Sequence, residues 1–182
     1  LSEAFVLDLS DGSLILAEKK YEVNGEKCFY FSELFLECRA PLSQKSKLDI
    51  VTRAVDQVAK KYYGDEDAQK KMEIKDIICN ELEEQGEIKV SELREKVFPG
   101  SPEMLEELDE KLDRYNLSYE TVAPKNEQTI KKFQKQKLYT DTGIEITIPM
   151  EEYRNPDHVE FITNMDGTIS VLIKNIGMLS SK

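Results

Sequence analysis

The chain carries one histidine, His158, and three cysteines, Cys28, Cys38 and Cys79. A histidine acts as general acid or base only when a partner orients its ring beside a reacting group. His158 follows the turn-like Asn155-Pro156-Asp157, and no nucleophile stands at a fixed spacing from it. A structural zinc site needs four closely spaced Cys or His ligands, and this chain does not supply them. Asn164 and Asp166 offer oxygens of the kind a cation loop uses. No further acidic residue follows at calcium-loop spacing, and a hairpin turn needs the same residues for its backbone. Neither common glycine-rich phosphate loop is present. Glu106 and Glu110 share a helix face by their four-residue spacing, away from the leucines, which is the pattern of a solvated face. These residues predict no catalytic site, no cofactor and no metal.

The residues best suited to bind something are lysines. Lys125, Lys131, Lys132, Lys135 and Lys137 stand against a single Glu127, so residues 125–137 sum to +4. Phe133 lies inside the run and Tyr139 just beyond it. Lysines contact phosphates, and such contacts hold a protein on nucleic acid without reading its sequence. A charged connector whose Phe133 packs inward is the plainer alternative. A second group, Lys45, Lys47 and Arg53, supports the same two readings. The nucleic-acid-binding candidates are therefore Lys45, Lys47, Arg53, Lys131, Lys132, Lys135 and Lys137.

The elements that carry these residues follow from periodicity. Leu48, Val51, Val55, Val58 and Tyr62 recur at helical spacing and predict a helix, with Ser46 and Asp49 as its capping box. A second helix is expected from about Asp67 to Gln85, with Ile74, Ile77, Ile78 and Leu82 as its core face, Met72 at its edge and Gly86 as its cap. A short helix should cover Ser91 to Val97. Ser101-Pro102 opens another, with Leu105, Leu108, Leu112 and Tyr115 inward. Its outer face is acidic: Glu103, Glu106, Glu107, Asp109, Glu110 and Asp113. Residues 127–136 read as a short helix or a connector. Ile144, Ile146 and Ile148 alternate with polar residues as in a half-buried strand. Residues 158–163 and 168–174 read as a hairpin about Asp166-Gly167. At the other end, Phe5-Val6-Leu7 and residues 13–17 read as a hairpin and Asn24-Gly25 as a turn. A short helix is favoured over a strand after Ser32.

The expected fold is α+β, a helical middle region with a C-terminal antiparallel β-sheet. Residues 1–40 are expected to form a β-hairpin and short helix at the end of a truncated N-terminal region, 41–116 a helical region, and 117–182 the antiparallel sheet region. The 182 residues carry a net charge of -11, unevenly spread. Residues 41–63 sum to +3, 64–120 to -10 and 121–182 to zero. A chain this acidic does not bind polyanions indiscriminately, so phosphate contact must be local. There is no apolar run of membrane-spanning length. The start, Leu1-Ser2-Glu3-Ala4, does not read as a signal peptide, and the absence of Met leads us to expect a fragment or processed product. Three cysteines without metal spacing fit reduced thiols in the cytoplasm, with Cys79 a buried small hydrophobe.

Several stretches together resemble one family. Lys27-Cys28-Phe29-Tyr30-Phe31-Ser32-Glu33-Leu34-Phe35-Leu36-Glu37-Cys38 is one. Pro41-Leu42-Ser43-Gln44-Lys45-Ser46-Lys47-Leu48 is similar to the family's entry to a long helix. Thr142-Gly143-Ile144-Glu145-Ile146 and Asp166-Gly167-Thr168-Ile169-Ser170-Val171-Leu172-Ile173-Lys174 resemble its terminal sheet. In this order they resemble the C-terminal part of the bacterial 37-kDa nucleoid-associated protein family. The resemblance implies a non-enzymatic protein of the cytoplasmic nucleoid that binds double-stranded DNA, together with an N-terminal domain that this chain would lack. It carries no catalytic residue and no residue-level DNA site. The alternative is a protein-interaction or homo-oligomerisation module whose acidic face docks a basic partner. A third reading, an enzyme using His158 or Asp166, requires those two residues to converge in a cleft.

Overall fold

The computed structural model describes residues 3–12, 14–37, 41–64 and 67–180. Ser13, Cys38 and the Asp65-Glu66 part of the acidic run lie outside them. The chain divides into two compact units, residues 1–43 and 44–182.

The first unit is built on two ribbons. β1 (Ala4–Leu7) pairs antiparallel with β2 (Leu14–Ala17), Ala4 opposite Ala17. β3 (Lys20–Val23) pairs antiparallel with β4 (Glu26–Phe29). This second hairpin was not expected beyond its turn. Asn24 and Gly25 both have positive φ, 54° and 84°. Two left-handed residues match the twist of the flanking strands, and Asn-Gly is the pair that adopts them most readily. Tyr30–Phe35 forms a π-helical turn, close to the short helix expected after Ser32. Phe31 stacks on Phe5 at 5.2 Å and on Phe35 at 5.5 Å between ring centroids.

The second unit opens with α1 (Gln44–Tyr63) and α2 (Ala68–Glu84). β5 (Ile88–Lys89) leads directly into α3 (Val90–Val97), and α4 (Pro102–Asp113) follows. β6 (Thr121–Val122) returns to pair antiparallel with β5, Ile88 opposite Val122. Next come α5 (Glu127–Lys131), β7 (Lys135–Tyr139), β8 (Glu145–Pro149) and α6 (Met150–Tyr153). β9 (Val159–Thr163) and β10 (Ile169–Ile173) complete it. β7 pairs with β8 and β9 with β10, both antiparallel. The architecture is α+β with several small antiparallel sheets, each two-stranded among the described residues. None of the described helices is long and apolar enough to cross a membrane.

The core follows the predicted faces with instructive shifts. Leu48, Val51, Val55 and Val58 are buried, joined by Ala54 and Ala59, while Tyr62 is exposed. α1 begins at Gln44, so Ser46 lies in its first turn rather than at its cap. The Gln44 side-chain oxygen accepts the Ala123 N–H at 3.0 Å, which ties that turn to the end of β6. Asp67 caps α2 by accepting the Lys70 N–H at 2.9 Å. Gly86, at φ 71°, takes the left-handed position after its C-terminus. Ser101 makes no side-chain cap bond; its carbonyl accepts the Leu105 N–H at 3.1 Å. Met104, Leu108 and Leu112 face inward, with Leu105 at the edge and Tyr115 outside. The reason is the end of α4. Asn116 turns left-handed at φ 54°, the Leu117 N–H bonds the Leu112 carbonyl, and Leu117 fills the core instead.

α2 is apolar on two faces. Ile74, Ile78 and Leu82 join α1, α3 and α4 in the main core. Met72 and Cys79 are also fully buried, packed with Met150 and flanked by Phe133, Leu138, Tyr153 and Phe161. Met72 was expected at an edge. It is covered because the C-terminal ribbons use this helix as their floor.

Candidate nucleic-acid interface

The lysine segment is positioned by that docking. Asn126 caps α5, its side-chain oxygen accepting the Gln128 N–H at 2.8 Å. Phe133 and Ile130 pack inward, so the lysines between and beside them point outward. The Lys75 ammonium, from α2, donates to the Lys135 carbonyl at 2.8 Å and to Gln136 Oε1 at 2.6 Å. Burial pushes the Lys75 ammonium below its usual range. Arg154 adds a second fastening. Its Nε lies 2.5 Å from Asp76 Oδ1 and its Nη1 3.0 Å from Glu83 Oε2, both on α2. Glu83 also accepts from Gln134 Nε2 at 3.0 Å.

Of the cations so displayed, Lys125, Lys132 and Lys135 are exposed and form no ion pair among the described residues. Lys131 lies 3.4 Å from Glu127, both side chains open to water, an arrangement that contributes little and leaves the ammonium available. Lys137 reaches diagonally across the ribbon to Glu145 at 2.6 Å. The lysines at 135 and 137 stand on a strand and Lys131 on a helix, a distinction left open by the sequence.

The earlier group separates into three situations. Lys47 pairs with Glu120 at 2.7 Å, its side chain mostly buried, and holds α1 to the segment entering β6. Lys45 is exposed and has no ion pair among the described residues. Arg53 lines a shallow pocket between α1 and α4 with Lys111 and Arg114. Sequence reasoning missed these last two. They are cations at the end of an acidic helix, where the helix dipole already favours them, and the local sum of -10 conceals them.

α3 and α4 are joined by four residues, Phe98–Ser101, the connectivity of a helix–turn–helix unit. The second helix of such a unit enters the DNA major groove when it reads bases. α4 presents Glu103, Glu106 and Glu110, none ion-paired among the described residues. Carboxylates facing a phosphate-lined groove repel it, so α4 is not built for that role. Glu107 and Asp109 are engaged within the fold. Lys61 lies 2.5 Å from Glu107, and its hydrogen bond holds that carboxyl below its usual range. Arg94 lies 2.7 Å from Asp109.

His158 and Asp166 do not converge. His158 Nδ1 meets Glu152 Oε2 at 2.5 Å where β9 begins. Asp166 sits in the turn beyond its far end, a five-residue strand or about 17 Å away. Its Oδ1 accepts the Thr168 hydroxyl at 2.7 Å and the Thr168 N–H at 2.9 Å, so its oxygens shape the turn. Among the described residues no group of three His, Cys, Asp or Glu side chains is arranged to hold a metal ion. Cys79 is buried as expected, and burial pushes its thiol up to about 11.

A family model described as nucleoid-associated protein YejK matches residues 3–178. The chain belongs to this family. The match spans both structural units and every element described, so the resemblance carried by the ordered sequence stretches is a family membership. No curated protein and no solved structure matches the chain. This nucleoid-associated protein thus combines an acidic helix–turn–helix connectivity with basic side chains placed away from the acidic helix face.

Proposed function

We propose that this member of the nucleoid-associated family acts without catalysis, contacting double-stranded DNA through its phosphates and so helping to organise the nucleoid in the cytoplasm. The observation that carries the reading is the set of exposed cations Lys125, Lys132 and Lys135, free of ion pairs among the described residues and fastened to α2. Lys131, Lys137 and Lys45 extend it. Cations that neutralise phosphates release condensed counterions, which gives affinity that falls steeply with salt. Nothing in this cluster reads base edges, so binding should be indifferent to sequence. The test is duplex affinity across an ionic-strength series, with two unrelated duplex sequences. Equal, salt-sensitive binding supports the reading; salt-independent binding opposes it.

One observation favours a second reading, a homo-oligomerisation or protein-docking module. The N-terminal unit leaves Phe5, Val6 and Ile15 on its first ribbon, and Phe35 on the π-helical turn, largely open to water. Phe5 and Val6 are consecutive on β1 and so take opposite faces, Val6 opposite Ile15, and apolar surface open on both sides of a small ribbon invites cover by another chain. Light scattering distinguishes the two: a mass of about one chain at micromolar concentration would remove self-association from consideration.

A further inference from the structure

We infer that the pocket between α1 and α4 is a phosphate-binding site, formed by Arg53, Lys111 and Arg114. The α1–α4 packing makes it. Lys61 near the end of α1 meets Glu107, while Arg53, two turns earlier, lies beside Lys111 and Arg114 near the end of α4. The helices therefore run antiparallel, and a mid-helix residue of one meets the last turn of the other. The pocket is a shallow surface depression of about 270 Å³. That leaves room for an oxyanion that stays open to solvent on its outer side. Ile50 forms part of its apolar wall, Gln57 adds an amide and Tyr115 an exposed ring.

Charge selects the ligand. No carboxylate lines the pocket. Arg53 and Arg114 have no ion pair among the described residues, and Lys111 has only Glu107 at 3.6 Å. Glu107 is itself held more closely by Lys61, at 2.5 Å. The Asp113 carboxylate accepts the Ser118 hydroxyl. The dipole of α4 accounts for Lys111 and Arg114 but not for Arg53, which stands in the middle of α1. Three cations drawn together against an apolar wall repel one another, and a bound dianion relieves that repulsion. Guanidinium forks match phosphate oxygens in pairs, which favours phosphate over halide. The same chemistry serves a backbone phosphate of DNA or a free phosphate group. The first source rests on the DNA-binding reading above; the pocket itself does not.

The test uses the full chain and the double variant Arg53→Gln with Arg114→Gln, checked for a melting temperature no lower than the parent's. Lys89→Gln, which removes an exposed cation elsewhere, is the control. Inorganic phosphate is titrated while the Arg side-chain and Tyr115 NMR signals are followed, with chloride at matched ionic strength as reference. The inference expects saturable shifts with phosphate that the double variant loses by at least tenfold in affinity and the control retains. Duplex DNA affinity then separates the sources. A parallel loss, with the salt slope reduced by about 0.9 for each contact removed, assigns the pocket to backbone phosphate. Unchanged DNA affinity with lost phosphate binding assigns it to a free phosphate group. If phosphate gives no saturable shift beyond chloride, the inference is overturned, whether or not the C-terminal lysines bind DNA. If the double variant does not fold as the parent does, Arg53→Lys with Arg114→Lys replaces it. Those lysines keep the charge but lose the paired geometry, so phosphate binding as tight as the parent's would overturn the guanidinium site.

Discussion

Cys79 shows how burial sets chemistry at the scale of one residue. Its sulfur lies between α2 and the C-terminal ribbons, and burial lifts its thiol from an ordinary 9 to about 11. The folded pKa exceeds the unfolded one, so the associated stability is complete below about pH 9 and is lost as pH rises through 11. Cys79 should therefore resist alkylation at pH 8 in the folded chain and react once denatured, while the half-buried Cys28 reacts sooner. Mass spectrometry of iodoacetamide-treated protein checks this; rapid modification of Cys79 in the folded state would contradict it. Arg154 makes a different prediction. It holds Asp76 and Glu83 at once, and Arg154→Ala leaves both carboxylates without that partner. Charged hydrogen bonds of this kind contribute about 1.5–3 kcal/mol, so the variant should lose roughly that much in urea denaturation. A change below about 0.5 kcal/mol would show that water replaces the guanidinium at little cost.

Among the elements, α2 is decisive because it serves two layers. Its Ile74, Ile78 and Leu82 face the helical core, and its Met72 and Cys79 face the ribbons. Truncating Met150 to Ala should cost about 2–5 kcal/mol, as should Leu108→Ala in the main core. The two losses should differ in place. Met150→Ala should lower amide protection in β7–β10 while α1 and α4 keep theirs, and hydrogen exchange reads that difference. Uniform loss throughout residues 44–180 would mean that the layers unfold as one. Periodicity made the helices legible, because Leu48, Val51, Val55 and Val58 alternate at helical spacing and are all buried. It could not show that Met72 is covered, since a second apolar face looks like the edge of the first. Nor could it show the Lys20–Phe29 ribbon, whose strands are too short and polar to alternate clearly, although its Asn24-Gly25 turn stood out. Tyr115 was misplaced because a left-handed Asn116 reverses the chain before the next helical turn.

For the whole molecule, charge placement outweighs charge total. A net charge of -11 argues against polyanion binding only if it is uniform, and here it is not. The acidic residues concentrate on α4 and neighbouring segments, whereas Lys125, Lys132 and Lys135 are displayed on the C-terminal layer. The lysine run was visible in the sequence. Its fastening to α2 through Lys75 and Arg154 was not, because those partners lie more than fifty residues away in the chain. The gathering of Arg53 with Lys111 and Arg114 was hidden for the same reason. Local opposite charge of this kind also predicts orientation: DNA should approach the lysine layer and avoid the outer face of α4. Reversing Glu103, Glu106 and Glu110 to Lys should therefore raise duplex affinity at low salt, as measured by fluorescence anisotropy; no change would show that the helix lies outside the field of the bound DNA.

The most direct measurement is duplex DNA affinity for the parent chain and for a triple variant, Lys125→Glu, Lys132→Glu and Lys135→Glu, from low to moderate salt. Parent binding should weaken linearly with salt in log–log form. The triple variant should bind at least tenfold more weakly at low salt, with a slope lower by roughly two to three. Equal affinity and equal slope for a folded triple variant would move the DNA surface away from these lysines.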